Sequence, residues 1–407
     1  MKKTGPPRES GLCPAHETPH FKRLLPRTAP NPRHRRHRDI GRRLSEKAVV
    51  LVEVHSLTKT DWEERLALLG EPGFRAGQIL EWLYKRRVSR WEDMTNLPAP
   101  LRAKLSVELP IVPLEIIRES GSGDTTRKFL FRLEDGQMIE TVLIPASPAL
   151  YGEASDRRTV CISSQVGCAY GCKFCASGLD GWKRNLSAGE IVGQFLRVEG
   201  LGGEKINNIV FMGMGEPMAN YGNLLRAIGI LNAPWGVGLG ARHMTLSTSG
   251  IVPRIRDLGA QPLQVRLAIS LHGATDEVRN KIMPVNRKYP LAELLGACAD
   301  YVRQKKQKLT FEYILIKDLN DAPGQARLLA AHARKLGAKI NLIPYNTVEG
   351  LDWKRPGEDR QEEFLAIVRR GGAEATLRRE KGHDIAAACG QLRLQVEKSF
   401  AQSAPLN

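Results

Sequence analysis

Three cysteines stand at Cys168, Cys172 and Cys175 in the run CISSQVGCAYGCKFCASG, and their CxxxCxxC spacing presents three thiols from one short loop. Thiolates are soft ligands suited to iron and sulfide, and a four-iron cubane held by three of them keeps one iron open to a substrate. A structural zinc knuckle is the other reading, but it closes its tetrahedral site with four Cys or His ligands. No fourth ligand follows at a finger-like spacing, so the ligand count favours the open cluster. Two further thiols lie outside the trio: Cys161, just before the loop, and Cys389, among Ala386, Ala387, Ala388 and Gly390. Isolated thiols are usually small buried hydrophobes. The small neighbours of Cys389, however, leave room for a large partner to reach its sulfur. Cys298 falls in the apolar stripe of LAELLGACADYV, where a buried inert thiol is expected.

The elements that must position these thiols show as pattern. From Thr159 the short apolar segments VCIS, NNIVFM, HMTLS, QVRLAIS, TFEYILI, KINLIP and ATLRR alternate with helical stretches, the signature of a parallel α/β sheet. Polar motifs follow four of them directly: GMGEP after NNIVFM, STSG after HMTL, SLH after VRLAI and PYN after KINLI. In α/β barrels the C-terminal ends of the strands carry the active site. Gly213 and Gly215 are expected to let the backbone approach a ligand that a side chain would block. Ser187 and Glu190 of SAGE predict a capping box at the start of the helix after the cluster loop.

Upstream, DWEERLALLG predicts a helix ending at Gly70, and FRAGQILEWLYKRR places Phe74, Ile79, Leu83 and Tyr84 on one apolar stripe. The basic run Lys85, Arg86, Arg87 and Arg90 lies beside Trp82 and Trp91, a combination that either grips RNA or forms a solvated helix face. Between Val112 and Ile144 the residues alternate, and LEDGQ joins RKFLFR to MIETVLI as a hairpin. Glu140, an acid within the second of these strands, is expected on a wet face.

A chain of 407 residues with 42% hydrophobic and 26% charged residues is ordinary for a soluble globular protein, and no apolar run reaches the length of a membrane span. The net charge of +17 is uneven: Met1 to Ser45 holds twelve Lys or Arg against three acids, a net +9. Few large apolar residues accompany them, so residues 1–50 are expected to be a basic disordered tail; a nucleic-acid-binding arm and a transit peptide are the alternatives. Three clustered thiols fit a reducing compartment, with the cytoplasm as default. Cys13 lies in the tail.

The trio resembles the signature of radical S-adenosylmethionine (SAM) enzymes. CISSQVGC, GMGEP, LSTSG, SLH, NLIPYN and DIAAACGQL appear in that order, and from about Ser56 to the AACGQL run the chain is similar to the RlmN-type dual-specificity RNA methyltransferases. The resemblance implies an α/β fold built as an incomplete, six-stranded β/α barrel. A helical RNA-binding accessory domain (51–110) and connecting strands (111–155) would precede the barrel with its catalytic C-terminal segment (156–395) and a tail (396–407).

It also implies that Cys168, Cys172 and Cys175 hold a 4Fe-4S cluster, and that Gly215, Glu216, Ser247, Ser270, Leu271, His272 and Asn346 contact SAM. Two SAM molecules would serve each turnover, one methylating Cys389 and one yielding a 5′-deoxyadenosyl radical that activates the resulting S-methylcysteine toward adenine. Glu140 would be the proton acceptor, and Cys161 the resolving thiol that forms a transient disulfide with Cys389. The implied substrates are an adenosine of 23S rRNA at the peptidyl-transferase centre and one beside the anticodon of certain tRNAs, methylated at carbon 2. A donor such as flavodoxin or ferredoxin would supply electrons to a monomer. Lys173, Lys183, Arg184, Arg378, Arg379 and Lys381 are candidate phosphate contacts or solvated surface. A related branch methylates carbon 8 and shares all five cysteines, but the proline of GMGEP and the STSG motif resemble the carbon-2 branch. A zinc-stabilised, non-enzymatic RNA-binding protein is the reading from another class, and it gives Cys161 and Cys389 no task.

Overall fold

Seven short segments line up side by side: the inner ones bury residues on both faces and need cover on both, while the last, EATL at the edge, buries only one of its four residues. The computed structural model describes residues 53–146, 156–179, 181–202, 205–378, 381–382 and 384–392. The expectations for 1–50 and 396–407, together with Cys13 and Arg379, lie outside the described residues. Among those described, the strands are β1 (Glu115–Gly121), β2 (Arg127–Arg132), β3 (Met138–Pro145), β4 (Arg158–Cys161), β5 (Gln165–Gly167), β6 (Trp182–Asn185), β7 (Asn208–Phe211), β8 (Met244–Thr248), β9 (Arg266–Ser270), β10 (Thr310–Leu315), β11 (Lys339–Pro344) and β12 (Glu374–Leu377).

Ten of them form one sheet in the order β1-β2-β3-β4-β7-β8-β9-β10-β11-β12. The run from β4 and β7 through to β12 is parallel throughout, and β1 to β3 extend it by antiparallel pairing at β4. The parallel run therefore has seven strands, not six. The extra member is β12, a short edge strand in register with β11 over Lys339–Leu342, and it feeds the chain toward Cys389. Ile209, Phe211, Met244, Leu246, Leu267, Ile269, Phe311, Tyr313 and Leu342 fill the interior, and the connecting helices cover the sheet with their own apolar faces. The helix Ala188–Gly202 opens with the expected capping box: Glu190 N–H donates to Ser187 Oγ at 2.9 Å, and Ser187 N–H to the Glu190 carboxylate at 2.8 Å.

The N-terminal helices share one continuous core with the sheet. Thr58 and Asp61 cap the helix Lys59–Leu68 reciprocally, and Gly70 just beyond it takes φ +73. In Arg75–Glu81 and the π turn Trp82–Arg86, the buried stripe is Ala76, Ile79, Leu80 and Leu83, the i, i+3, i+4, i+7 spacing of one helix face. Phe74 does not belong to it. It precedes the helix as N-cap, falls out of that spacing, and is 66% exposed. The neighbouring basic run is largely committed internally: Arg86 pairs with Glu81 and stacks 4.2 Å over Trp82, Arg87 pairs with Glu199, Arg90 with Asp93, and Lys85 donates to the Val237 carbonyl. Trp91 is buried and donates to the Leu109 carbonyl at 2.8 Å. No helix among the described residues is long and apolar enough to cross a membrane.

Candidate active site

The cluster loop is anchored by a small sheet of its own, in which β5 pairs antiparallel with β6. Gly167, at the end of β5, takes φ +70, and a Cβ there would lie 1.9 Å from the Gly181 carbonyl oxygen, so only glycine fits. Cys168 N–H donates to that carbonyl at 3.1 Å, and the three thiols follow in a half-buried turn. Burial pushes the Cys168 thiol up to about 12 and raises Cys172 and Cys175 as well. Bare thiols there stay protonated, and a bound cationic cluster is the kind of partner that deprotonates coordinating thiols. Among the described residues no three His, Cys, Asp or Glu converge as ligands of a single metal ion. In a cubane each thiolate takes a different iron, so the trio fits that group without converging on one point.

One cavity is lined by all three of these cysteines together with Gly215, Glu216, Ser247, Ser270, His272 and Cys389. It opens at the C-terminal ends of β7 to β10, where the polar motifs fall. The glycines of GMGEP line the cavity and also meet a need within the chain itself. A Cβ at Gly213 would lie 2.7 Å from Ser163 N, and one at Gly215 (φ +99) would lie 2.5 Å from Gln165 Cβ. What they admit most closely is the chain's own Ser163–Gln165 segment, which hydrogen-bonds across to Met214.

Glu216 knits the motifs together. Its carboxylate accepts from Met218 N–H at 3.0 Å and from Ser249 N–H at 2.7 Å, and its own N–H donates to Gln165 Oε1 at 2.8 Å. Burial raises its carboxyl above the ordinary range, and the hydrogen bonds from Ser249 and Thr248 pull it back. Ser247 and Ser270 face one another, Oγ to Oγ, at 3.4 Å. His272 adopts φ +55, its Nδ1 accepts from Ile314 N–H at 3.0 Å, and Phe174 meets its ring edge-on. Burial, helped by the nearby Arg279, lowers the imidazole to about 3, so it is neutral. Leu271 is a core side chain with no exposure, so only its backbone is available to a ligand.

Arg279 has no signal in the sequence, where DEVRNK reads as an ordinary helix face. Yet it is fully buried, and its guanidinium donates to the carbonyls of Ser249, Ser270 and Leu271 and to Asn286 Oδ1. One planar fork thus ties the STSG turn to the SLH turn. Glu312, which lines the same cavity, also has no signal in the sequence, and Arg378, read there as a candidate phosphate contact, lines the cavity as well.

The segment bearing Cys389 is clasped from both sides. Toward the barrel, Ala176 N–H donates to the Gly390 carbonyl at 2.7 Å, Ser177 Oγ to the Leu392 carbonyl at 2.8 Å, and Asn346 Nδ2 to the Cys389 carbonyl at 3.1 Å. Asn346 therefore meets the Cys389 loop and lies outside the cavity that the trio lines. Toward the antiparallel strands, Ser122 Oγ donates to Asp384 at 2.6 Å and Gly382 N–H to Asp124 at 2.6 Å. Cys161 ends β4, is buried, and shares a second, smaller cavity with Cys389. Burial pushes its thiol up to about 12, Cys389 adds to the shift and Arg378 opposes it. Both are free thiols.

Glu140 corrects its sequence reading. It is 4% exposed, not on a wet face, because both faces of β3 are covered: six consecutive residues, Met138 to Leu143, are buried. It lines neither cavity, and Lys128 Nζ stands 3.0 Å from its Oε1. Among the candidate phosphate contacts, Arg184 is held by Glu190 and Asp135, Arg378 donates to Cys389 Sγ, and Lys381 donates to the Pro145 carbonyl. Lys173 and Lys183 are exposed.

Comparison with known proteins matches this arrangement. Residues 162–327 fit the radical SAM superfamily, and residues 52–111 fit the ribosomal RNA large subunit methyltransferase N-terminal domain. The protein named "Probable dual-specificity RNA methyltransferase RlmN" from Akkermansia muciniphila is 53% identical over 84% of this chain and 96% of its own length. "Probable dual-specificity RNA methyltransferase RlmN 3" from Opitutus terrae is 54% identical over 82% and 92%. The crystal structure of a radical SAM methyltransferase from Sphaerobacter thermophilus superposes with a TM-score of 0.79 at 45% identity, covering 84% of this chain and 99% of that one. With thiol trio, strand-end motifs and a clasped Cys389 segment on one scaffold that matches these relatives along most of their length, the chain belongs to the RlmN family of dual-specificity RNA methyltransferases, within the radical SAM superfamily.

Proposed function

We propose that this enzyme methylates carbon 2 of adenosine in 23S rRNA and in tRNA beside the anticodon, with Cys389 carrying the methyl group between cofactor and base. The observation that carries the reading is the placement of Cys389 between two cavities, one shared with the cysteine trio and the strand-end motifs, the other with Cys161. Cys168, Cys172 and Cys175 would hold the 4Fe-4S cluster, and the backbone at Gly215 and Leu271 with Glu216, Ser247, Ser270, His272 and Asn346 would hold SAM. When bound, these groups supply the methyl carbon and the radical chemistry that an electron-poor amidine carbon demands, with two SAM used per turnover.

The protein's own residues do the rest. Cys389 Sγ accepts the methyl group as a nucleophile. Once its methylene carbon is joined to adenine, Glu140 takes the proton lost from the ring, and the one electron that must also leave for the ring to regain its aromaticity would be accepted by the cluster that Cys168, Cys172 and Cys175 hold when it is bound. The Cys161 thiolate then attacks Cys389 Sγ: a sulfur–sulfur bond forms, the sulfur–methylene pair passes to carbon, and that carbon gains a proton to become the methyl group. A dithiol reductant returns the disulfide to two thiols. The parallel sheet would act as the family's six-stranded partial barrel with β12 added, and residues 51–110 as an RNA-binding accessory domain. A monomer in the cytoplasm, reduced by a flavodoxin or ferredoxin, completes the reading.

Two variants and one spectrum test it. Protein prepared without oxygen and reconstituted with iron and sulfide should show the absorbance of a 4Fe-4S cluster. Cys161→Ala should accumulate protein covalently joined to RNA, and Cys389→Ala should keep the cluster and lose methylation. Free methylated RNA from Cys389→Ala would end the relay, and mass spectrometry of the nucleoside decides carbon 2 against carbon 8.

A further inference from the structure

We propose that Lys128 is a positioning residue that couples the carboxylate of Glu140 to the loop bearing Cys389; this rests on the roles proposed above for those two residues. Lys128 lies on β2 and Glu140 on β3. Leu130 is opposite Glu140 and Val142 opposite Lys128, so the two are diagonal neighbours on one face of an antiparallel pair. The ammonium is 3.0 Å from Glu140 Oε1 and donates to the Ala386 carbonyl at 3.2 Å. The two side chains are only 14% and 5% exposed.

A cation that deep keeps its charge where that charge is matched and hydrogen-bonded. Here the match is the proposed base on one side and the catalytic segment's backbone on the other. A cross-strand ion pair alone would account for the first contact but not for the second, which reaches 258 positions along the chain. The gripped carbonyl belongs to Ala386, whose φ of +50 is unusual for a residue with a Cβ. Lys128 therefore touches the segment at its strained residue, three positions before the nucleophile. Because Glu140 lines neither cavity, its alignment with the sulfur needs a connection, and Lys128 makes one.

Methyl transfer to Cys389 uses neither Glu140 nor Lys128. The later step does: Glu140 takes a proton from the adduct carbon, the bonding pair stays with the adenine ring, and the adduct's one surplus electron would pass to the cluster of the proposed function, leaving a closed-shell thioether. Loss of Lys128 should therefore stall the reaction after the RNA is joined to the protein, not before.

The test uses the full chain, reconstituted without oxygen, as Lys128→Met, Lys128→Gln, Lys128→Arg, Glu140→Gln and the double variant Lys128→Met/Glu140→Gln. Three species are measured: methylated Cys389 by peptide mass spectrometry, covalent RNA–protein adduct on denaturing gels, and free methylated adenosine. From the usual worth of a charge-assisted hydrogen bond, Lys128→Met and Lys128→Gln should keep Cys389 methylation within about twofold, release about 10- to 100-fold less product and accumulate adduct. Lys128→Arg should recover most of the product, and Lys128→Met should cost nothing further in the Glu140→Gln background. Product within about threefold of wild type in both Lys128→Met and Lys128→Gln, or loss of Cys389 methylation together with product, overturns the coupling. If Glu140→Gln stalls as adduct while both uncharged Lys128 variants turn over, only the coupling fails. If Glu140→Gln turns over like wild type, the proton-acceptor assignment fails and the coupling with it.

Discussion

The Arg378 guanidinium donates to the Cys389 sulfur at 3.1 Å. Arg378 directly follows the edge strand β12 and lines both the cavity of the cysteine trio and the one shared with Cys161. It therefore fixes the sulfur where the two cavities meet. Arg378→Met should lower the yield of methylated RNA by about 10- to 100-fold, the worth of a hydrogen bond with one ionised partner, while the iron content per chain stays unchanged. Activity and iron measured on one preparation check this, and near-normal activity would make the contact incidental.

Arg279 is fully buried and holds three carbonyls from two strand-end turns. Arg279→Lys keeps the charge but loses the planar fork, and at a site without solvent the orphaned carbonyls should cost about 2–4 kcal/mol. The expected outcome is a lower urea midpoint together with weaker SAM binding by equilibrium titration, because Ser247, Ser270 and His272, proposed above as SAM contacts, lie on those turns. An unchanged midpoint would show that the turns stand without it.

Gly215 and Gly222 make a matched pair. Gly215 combines φ +99 with a Cβ position 2.5 Å from Gln165 Cβ, whereas nothing lies within 4 Å of a Cβ at Gly222, in the helix Tyr221–Asn232. Gly215→Ala should destabilise by about 2–4 kcal/mol through strain and displacement of the Gln165 segment. Gly222→Ala should be neutral or stabilise by up to about 1 kcal/mol. Chemical unfolding of the two variants in parallel compares them, and equal midpoints would rule out the steric account.

His55 packs its ring edge-on against Tyr84, and burial, with Arg87 nearby, lowers its imidazole to about 4. The folded value lies below the ordinary 6.5, so the unfolded chain binds the extra proton first. The stability that the neutral ring contributes is complete above about 6.5 and is lost as pH falls toward about 4, at roughly 1 kcal/mol per unit. Urea midpoints at pH 7.5 and pH 5 should therefore separate more for the native protein than for His55→Gln. Identical pH dependence would assign the acid loss to other groups.

The chemistry was legible where it depends on local spacing. The thiol trio, the polar motifs after β7, β8, β9 and β11, and the Ser187–Glu190 cap all follow from residues within one turn or one strand end. What escaped depends on neighbours far along the chain. Periodicity marks Glu140 as an acid in a strand but cannot say that both faces of β3 are covered, so its burial was missed. The spacing of GMGEP announces close approach, and the group that comes closest within the chain is Gln165 at the start of β5, which the spacing does not show. Arg279 looks like any helical cation until its partners from two other turns arrive. The basic run after Tyr84 is answered by Glu81, Asp93 and Glu199, and only the first two are close in sequence.

The hydrogen bond from Ser122 to Asp384 spans 262 positions. Tethers that close so large a loop form late and open early, because few local interactions share their burden. Mild heating should therefore silence the enzyme while its circular dichroism is still intact, the Cys389 segment swinging free of an otherwise undisturbed scaffold. Cooling would let the same stretch settle back, so that inactivation of this kind is reversible in a way that collapse of the sheet is not.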